Sequence, residues 1–408
     1  MVRFLYGIGM VCLKRLEEVL APFHAGARGR MAMRKAKPAK LDSPVWFHCA
    51  SAGEWEQIRP VAEALHAWKP ELPIVLSFYS PSGFFSPGPK FPANAVIGFP
   101  VDTPSAVAHF LDETRPRLAI FVKAEIWLHM WEGLHQRQIP LGLVAARWGK
   151  SKFLEKWWAA PWRKALEKAA FISAQDEETA HWCKTHLRTL SPIQCDGDPR
   201  VERVKAIAEG PWKNEPAWHL PAQTAIAGSI WPEDLPGLQA LIAADPSMTW
   251  VVAPHKIDQA FLSHLEKLWE GKTQRWTALK KGAPWTSPRV VLMDVLGELS
   301  KCYRWGKIAY VGGGFGKQVH NVLEPAVYGI PVLFGPHFQR SREAENFVRL
   351  GIAYSGKSPQ DLTPAYLQWV RDEAHLTRTK NLINNWFSLE PLTSQQVLEQ
   401  IKRVLSFS

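Results

Sequence analysis

The feature of this sequence that most constrains its fold is a repeated alternation of short β-rich runs and helix-like stretches. Buried parallel strands read as short, continuous apolar runs, and crossover helices must separate them along the chain. Two such series follow one another, so the sequence predicts two doubly wound α/β domains. The clearest predicted strands are Val45–Ala50, Ile74–Phe78, Ala119–Val122, Leu141–Val144, a run starting near Ala225, Thr249–Ala253, Val290–Met293, Ile308–Val311 and Pro331–Phe334.

The length of 408 residues also indicates two domains, because single hydrophobic cores seldom grow beyond about 300 residues. The stretch 209–221 contains three prolines and two tryptophans, which predicts a connector. We therefore expect an N-terminal segment at 1–40, a first Rossmann-like domain at 41–208 and a second at 209–375. Ligands of such sheets bind beyond the carboxyl ends of the strands, so two facing domains would form a cleft.

The basic excess of the chain is concentrated near its N-terminus. Residues 1–40 hold nine Lys or Arg against two acids, which gives +7 of the net charge of +11. The apolar run Phe4–Leu13 is about half as long as the roughly 20 residues that span a bilayer. An interfacial anchor whose basic flank faces anionic lipid is the interpretation we favour. A solvated basic tail and a nucleic-acid arm are the alternatives, although no nucleic-acid-binding motif accompanies the arm.

Composition and motifs exclude several classes of site. The five cysteines are scattered and form no Cys-x-x-Cys pair, so neither a disulfide framework nor a zinc site is predicted, and a reducing compartment fits best. No Asp-x-Asp follows one of these predicted strands to share a metal with a diphosphate, and no Gly-x-Ser-x-Gly elbow is present. We predict no metal and no cofactor.

The loop 48–56 is the first candidate for chemistry, because it joins a predicted strand to a predicted helix. It places Glu54 near the helix N-terminus, after small residues such as Ser51 and Gly53. A carboxylate there is a suitable general base for a sugar hydroxyl. Alternatively, Glu54 serves only to interact with the helix dipole.

The loop 311–325 is the second candidate. Gly312, Gly313 and Gly314 follow a strand, and Asn321 is the predicted N-cap of a following helix, an arrangement that offers backbone N–H groups to a phosphate. Glu324, in that helix, could bind ribose hydroxyls. Glycines are equally needed for a tight strand-to-helix turn, but beside Glu324 they predict a nucleotide site.

Two further loops follow strands of the second series. They carry Ser229, His255 and Lys256, whose side chains could bind anionic groups of a donor. Cationic side chains and helix ends could stabilise a leaving group with one phosphate without a metal. A purely structural role for His255 remains open.

These loops together resemble the 3-deoxy-D-manno-octulosonic acid (Kdo) transferase family. The motifs that carry the resemblance span about residues 44–355 and occur in the family's order: 50–54 (ASAGE), 124–127 (AEIW), 145–147 (AAR), 174–178 (AQDEE), 197–200 (GDPR), 228–234 (GSIWPED), 293–299 (MDVLGEL), 312–325 and 329–337 (GIPVLFGPH).

The resemblance implies a GT-B fold and transfer of Kdo from CMP-Kdo to a lipid A precursor in lipopolysaccharide inner-core assembly, at the cytoplasmic face of the bacterial inner membrane. The first domain would bind the acceptor, the second the nucleotide sugar, and a helix within 376–408 would return to the first domain. Because the N-terminal apolar run is shorter than the family's transmembrane helix, peripheral attachment is expected.

By the same resemblance, Glu54 would be the base of an inverting reaction. Gly312–Gly314, Asn321 and Glu324 would hold the nucleotide, with Ser229, His255 and Lys256 on the donor side. The residues expected to bind substrate are Ser51, Gly53, Glu125, Arg147 and Arg200.

Two other functions fit the fold. One is a GT-B transferase that uses another nucleotide sugar, such as a UDP-sugar, because fold alone does not assign a substrate. The other is a non-catalytic membrane adaptor that binds a nucleotide sugar. Glu54 argues against the adaptor, and we expect no nucleic acid among the partners.

Overall fold

The structure is a computed structural model that describes residues 1–36, 41–85, 90–148, 152–213 and 215–406. The chain forms two compact units, one of residues 1–203 and 391–408, the other of residues 204–390. Parts of the predicted segments 1–40, 209–221 and 376–408 lie outside the described residues, namely 37–40, 214 and 407–408.

The first unit contains a seven-stranded parallel sheet in the order β3-β2-β1-β4-β5-β6-β7. Its strands are β1 (Val45–Cys49), β2 (Ile74–Phe78), β3 (Ala95–Gly98), β4 (Leu118–Val122), β5 (Leu141–Ala146), β6 (Phe171–Ala174) and β7 (Ile193–Cys195). The order reverses direction between β1 and β4, which is the switch point where ligands of such sheets bind. β1 is in register with β4 through the pairs Val45–Leu118 and Trp46–Ala119.

The second unit repeats this plan with the order β10-β11-β9-β8-β12-β13-β14. Its strands are β8 (Thr224–Ile230), β9 (Thr249–Pro254), β10 (Thr273–Arg275), β11 (Val290–Leu292), β12 (Ile308–Val311), β13 (Val332–Phe334) and β14 (Ala353–Ser355). All nine strands predicted from the sequence are present, within one or two residues at their ends. The predicted pair of doubly wound α/β domains is therefore confirmed.

The helices cover the faces of both sheets. They are α1 (Val2–Leu20), α2 (Ala25–Arg34), α3 (Ala52–Trp68), α4 (Pro81–Phe84), α5 (Pro104–Thr114), α6 (Leu128–Gln136), α7 (Ala160–Leu166), α8 (Glu177–His186), α9 (Arg200–Glu209), α10 (Leu235–Ala244), α11 (Gln259–Leu268), α12 (Trp276–Lys280), α13 (Leu299–Cys302), α14 (Leu323–Ala326), α15 (Arg342–Arg349), α16 (Leu362–Arg371), α17 (Glu373–Leu389) and α18 (Thr393–Ser406).

The N-terminal segment folds as the helix pair α1 and α2. Glu17 of α1 is buried and pairs with Arg30 and Arg34 of α2, both at 2.5 Å. The other side of α1 leaves large apolar side chains exposed, among them Phe4, Leu5, Ile8, Val11, Leu16, Val19 and Leu20. Within the described part of the chain, no helix has the length and apolar character needed to cross a membrane.

The last helix completes the core under α3. Val397, Leu398 and Ile401 of α18 are buried in one cluster with Ile58 and Leu65 of α3. α3 is the helix that carries Glu54, so α18 packs against the helix that carries the first candidate residue. Both helices belong to the first unit.

Candidate active site

Glu54 lies in the first turn of α3, directly after β1. Ser51 is the N-cap of this helix, so the short link between strand and helix brings Glu54 to the carboxyl end of the sheet, as predicted. The Glu54 Oε2 atom accepts a hydrogen bond of 2.6 Å from the backbone N–H of Ala50. Gly53 is exposed, and an added Cβ there would meet only the Ser51 hydroxyl, at 3.9 Å. A substrate could therefore approach the backbone at Gly53.

The surroundings of Glu54 favour its protonated form. Burial, and then the negative charge of Glu125, raise the pKa of Glu54 to about 7. The charge of Lys123 and the Ala50 N–H oppose this shift. Lys123 stands at the end of β4 with a φ of 59°, a left-handed conformation that is rare for a lysine. A carboxyl group with a pKa near neutrality is well suited to accept a proton in a reaction.

Glu125 follows β4, the strand next to β1. Its Oε2 atom accepts a hydrogen bond of 2.8 Å from the Trp127 indole and lies 3.7 Å from His48 Nε2. His48 is fully buried, its Nδ1 atom is 2.9 Å from the Ser77 hydroxyl, and burial lowers its pKa. The imidazole is therefore neutral.

Arg147 follows β5, the next strand of the same sheet. Its Nε donates to Asp176 Oδ2 at 3.0 Å, and Asp176 is also the N-cap of α8. Ser51, Gly53, Glu54, Glu125 and Arg147 thus follow three neighbouring strands, β1, β4 and β5.

Arg200 lies further along the sheet, at the start of α9 after β7. Its Nη2 donates to Asp198 Oδ2 at 2.6 Å. Gln57 of α3 and Gln175 donate to the same carboxylate at 2.8 and 2.6 Å. Burial alone would raise the pKa of Asp198, but Arg200 and these donors keep it below its usual range. Arg200 thus follows β7, which lies two strands along the sheet from β5, the strand that Arg147 follows.

The predicted donor residues of the second unit converge at one edge of its sheet. Ser229 is the last but one residue of β8, and the other loops follow the flanking strands β9 and β12. An added Cβ at Gly312 would lie 2.3 Å from the Ser229 carbonyl oxygen, and one at Gly314 would lie 2.6 Å from the Gly335 nitrogen. Gly313 has a φ of 87°. Gly312 and Gly314 must be glycine because another backbone segment lies too close for a Cβ. Gly313 must be glycine because its backbone is left-handed.

Asp234 joins these loops and was missed by the sequence analysis. It is fully buried and accepts hydrogen bonds from the backbone N–H groups of Trp231 and Gly313, at 2.9 and 2.8 Å, and from the Tyr310 hydroxyl at 2.9 Å. The carboxylate therefore fixes the loop after β8 against the glycine loop after β12. Its only local signal is an acid in the first turn after Pro232.

Three aromatic rings form a stack beside the glycine loop. The His255 ring lies 4.6 Å from that of Trp231 and 4.3 Å from that of His320. The Trp231 indole donates to His320 Nε2 at 2.8 Å, so this nitrogen carries no proton. Burial and the neighbouring His255 lower the pKa of His320 to about 4. His320 was also missed, and Lys256 lies 5.5 Å above the Trp231 ring.

Asn321 and Glu324 are brought together, but the predicted N-cap is wrong. The helix α14 begins at Leu323 with Val322 as its N-cap, because Asn321 lies one residue too early. The Asn321 Oδ1 atom instead accepts from Leu323 N at 3.1 Å, and its amide donates to Glu324 Oε1 at 3.2 Å. The Ser300 hydroxyl donates to the other Glu324 oxygen at 2.8 Å. Glu324 is thus oriented by two side chains at the base of the glycine loop.

Comparison with known proteins supports the resemblance to Kdo transferases. A family model described as 3-deoxy-D-manno-octulosonic-acid transferase (kdotransferase) matches residues 25–202. The 3-deoxy-D-manno-octulosonic acid transferase of Bordetella pertussis is 25% identical over 405 residues, which cover 94% of this chain and 92% of that protein. The one of Haemophilus influenzae is 27% identical over 356 residues, with 80% and 79% covered. The chain is thus similar to Kdo transferases over most of its length. It is therefore a glycosyltransferase, as the sequence predicted.

The part of the chain that the family model matches contains Glu54, Glu125, Arg147 and Arg200. Among solved structures, the Staphylococcus aureus MnaA–UDP co-structure is similar with a TM-score of 0.60 at 13% identity, covering 90% of this chain and 98% of that one. UDP-GlcNAc 2-epimerase from Neisseria meningitidis, bound to UDP-GlcNAc, has a TM-score of 0.56 at 12% identity, with 88% and 100% covered. These similarities concern the fold, and the predicted GT-B fold class is confirmed.

Proposed function

We propose that this enzyme moves Kdo from CMP-Kdo to a hydroxyl of a lipid A precursor, with Glu54 as general base and inversion at the anomeric carbon. The observation that carries this proposal is the Glu54 carboxyl group, at the carboxyl end of the sheet with a pKa raised to about 7. Similarity to Kdo transferases supports Kdo as the sugar that is transferred. The donor nucleotide and the acceptor rest on the sequence resemblance.

The reaction proceeds by direct displacement. As the acceptor oxygen bonds to the anomeric carbon of Kdo, its proton passes to the Glu54 carboxylate. The bond from that carbon to the phosphate oxygen breaks, and CMP leaves with the electron pair. Attack from the face opposite the leaving group inverts the carbon. A positioned base of this kind typically contributes about 100- to 10,000-fold to the rate.

The second unit would bind the donor. Gly312–Gly314 would present backbone without side chains to the donor. The Gly313 N–H already donates a hydrogen bond to Asp234, which holds this backbone in place. Ser229, His255 and Lys256 supply a hydroxyl, an imidazole and an ammonium group for the phosphate and the Kdo carboxylate.

The ribose of the donor would contact Glu324 and Asn321. Both carboxylate oxygens of Glu324 accept hydrogen bonds already, from Ser300 and Asn321. Each oxygen has a second lone pair, so a ribose hydroxyl could add to this arrangement. Prior orientation of the carboxylate lowers the entropy cost of binding.

The first unit would bind the acceptor. Ser51 and Gly53 leave an open approach to Glu54, while Glu125 keeps the base at a pKa suited to proton transfer. Arg147 and Arg200 would serve acidic groups of donor or acceptor. Both are oriented by aspartates, which pre-arranges the guanidinium groups for bidentate contacts.

We further propose that the enzyme attaches to the cytoplasmic face of the bacterial inner membrane through α1. The exposed apolar side of α1 supports an interfacial position, with Phe4 72% and Val19 67% exposed. Residues 1–40 carry a net charge of +7, which favours an anionic lipid surface.

The test is transfer from CMP-Kdo, generated in place, to a tetraacylated lipid A precursor dispersed in detergent, followed by mass spectrometry. Wild type should add a Kdo-sized mass. Glu54→Gln should lose at least about 100-fold of the rate and keep its affinity for CMP. A UDP-sugar that replaces CMP-Kdo as donor, or a mutant that transfers at the wild-type rate, contradicts the proposal.

A further inference from the structure

A cavity of about 320 Å³ lies on the first unit at the meeting point of α1, α6 and α7. Its polar lining comprises Arg3 of α1, Glu132 of α6, Lys164 of α7 and Lys168 just beyond α7. Trp131 and Pro161 are among its apolar walls. The lining includes no residue that we place in Kdo transfer.

The charges in this cavity are unbalanced. Three cations face one carboxylate, a net charge of +2. Lys168 Nζ and Arg3 Nη2 both approach the same oxygen of Glu132, at 2.8 and 3.4 Å. Lys164 is exposed and forms no ion pair with the residues that the structure describes. The cavity therefore concentrates positive charge that its own carboxylate neutralises only in part, and it suits an anion.

The α1 helix is fixed where it borders the cavity. The Tyr6 hydroxyl donates to Asp102 Oδ2 at 2.6 Å, and the buried Asp102 also accepts from the backbone N–H groups of His129 and Met130 at the start of α6. Arg3 stands one helical turn before Tyr6. Its position over the cavity is thus set by the same contact that docks α1 onto α6.

Exposed aromatic side chains stand close in the sequence to residues that line the cavity. Phe4 follows Arg3 and is 72% exposed, whereas Trp157, which precedes Pro161 by four residues, is 75% exposed. Tryptophan rings flanked by basic residues favour the zone between lipid headgroups and acyl chains. An anion that reaches this cavity from such a zone would belong to a lipid.

We propose that the cavity binds the phosphate group of an anionic phospholipid headgroup. The guanidinium of Arg3 and the ammonium groups of Lys164 and Lys168 donate to the phosphate oxygens, and Trp131 packs against the glycerol carbons. Glu132 competes with the phosphate for two of the three cations. This inference rests on the proposed attachment to the membrane, and it adds a defined lipid site to that attachment.

The first experiment measures sedimentation of the full chain with vesicles of phosphatidylglycerol and phosphatidylcholine. Lys164→Gln/Lys168→Gln should weaken binding by roughly 30-fold, because each basic residue near an anionic surface contributes about fivefold. The control Lys184→Gln/Arg188→Gln removes the same charge from another exposed surface of the unit and should change binding by less than about twofold. Melting temperatures of both variants establish that they fold.

The second experiment tests the competition by Glu132. Glu132→Gln removes the competing carboxylate and should strengthen vesicle binding by about fivefold. Glu71→Gln makes the same change of charge at an exposed position outside the cavity and should have little effect. The gain from Glu132→Gln should disappear in the Lys164→Gln/Lys168→Gln background.

Equal binding by the cavity variant and its control overturns the lipid site but leaves membrane attachment standing. If the wild type does not bind vesicles at all, both the lipid site and the membrane attachment are overturned. Kdo transfer is tested separately, because that assay uses an acceptor dispersed in detergent. The source of the phosphate is decided with short-chain, monomeric phosphatidylglycerol and with inorganic phosphate. Inorganic phosphate that binds as tightly as the lipid, and only to wild type, would identify a free-anion site and overturn the lipid assignment.

Discussion

Replacing Glu54 by glutamine should stabilise the protein while it removes the base. Burial raises the pKa of Glu54 from 4.5 to about 7. A folded-state pKa above the unfolded value means that the ionised carboxylate costs stability, fully at a pH above 7 and progressively less as the pH falls towards 4.5. This rise of the pKa from 4.5 to about 7 corresponds to about 3 kcal/mol at pH 8 and to under about 1 kcal/mol at pH 5. The side-chain amide oxygen of the Glu54→Gln variant could still accept the hydrogen bond from Ala50, so the change removes little else.

The assay is urea denaturation of wild type and Glu54→Gln, followed by tryptophan fluorescence at both pH values. The difference between the two pH values isolates the charge, since losses of packing are the same at each. Glu71→Gln, a change at an exposed carboxylate, is the control and should shift neither midpoint. A gain of equal size at pH 5 and pH 8, or a loss at pH 8, would refute the argument that burial destabilises the ionised base.

Three further outcomes follow from the geometry. The rate of Kdo transfer at low substrate should fall about tenfold per pH unit below the Glu54 pKa of about 7, because only the carboxylate accepts a proton, and a pH–rate profile measures this. Gly314→Ala should lower the melting temperature and cost about 1 to 3 kcal/mol, since the new Cβ would lie 2.6 Å from the Gly335 nitrogen. Tyr6→Phe should weaken the packing of α1 on the first unit by about 1.5 to 3 kcal/mol, because the hydrogen bond to the buried Asp102 carboxylate is lost. Limited proteolysis between α1 and α2 should therefore become faster.

The strands that the sequence revealed are those in the interior of the two sheets. The nine predicted strands include all five interior strands of the second sheet and four of the five in the first. The four edge strands, β3, β7, β10 and β14, were missed. They are three or four residues long and partly exposed, so they lack the continuous apolar run that burial on both faces imposes.

The candidate site was predictable only where a local pattern marks it. Glu54 was predicted because it is an acid at the start of a helix, after a strand and small residues. Gly312–Gly314 were predicted because they form a glycine run after a strand. Asp234 and His320 act through contacts with residues 79 to 89 positions away in the chain. No pattern within one loop encodes such a contact, because it depends on which strands become neighbours.

The order in which the core of the first unit is assembled follows from the placement of α18. During synthesis, β1 and α3 leave the ribosome early, but Val397, Leu398 and Ile401 emerge only after the whole of Val204–Glu390. The second unit is contiguous and can fold while the chain is still growing. The nascent first unit, in contrast, exposes the apolar side of the Glu54 helix until translation reaches α18. Chaperone capture of ribosome-bound chains that end before residue 391 would reveal this interval.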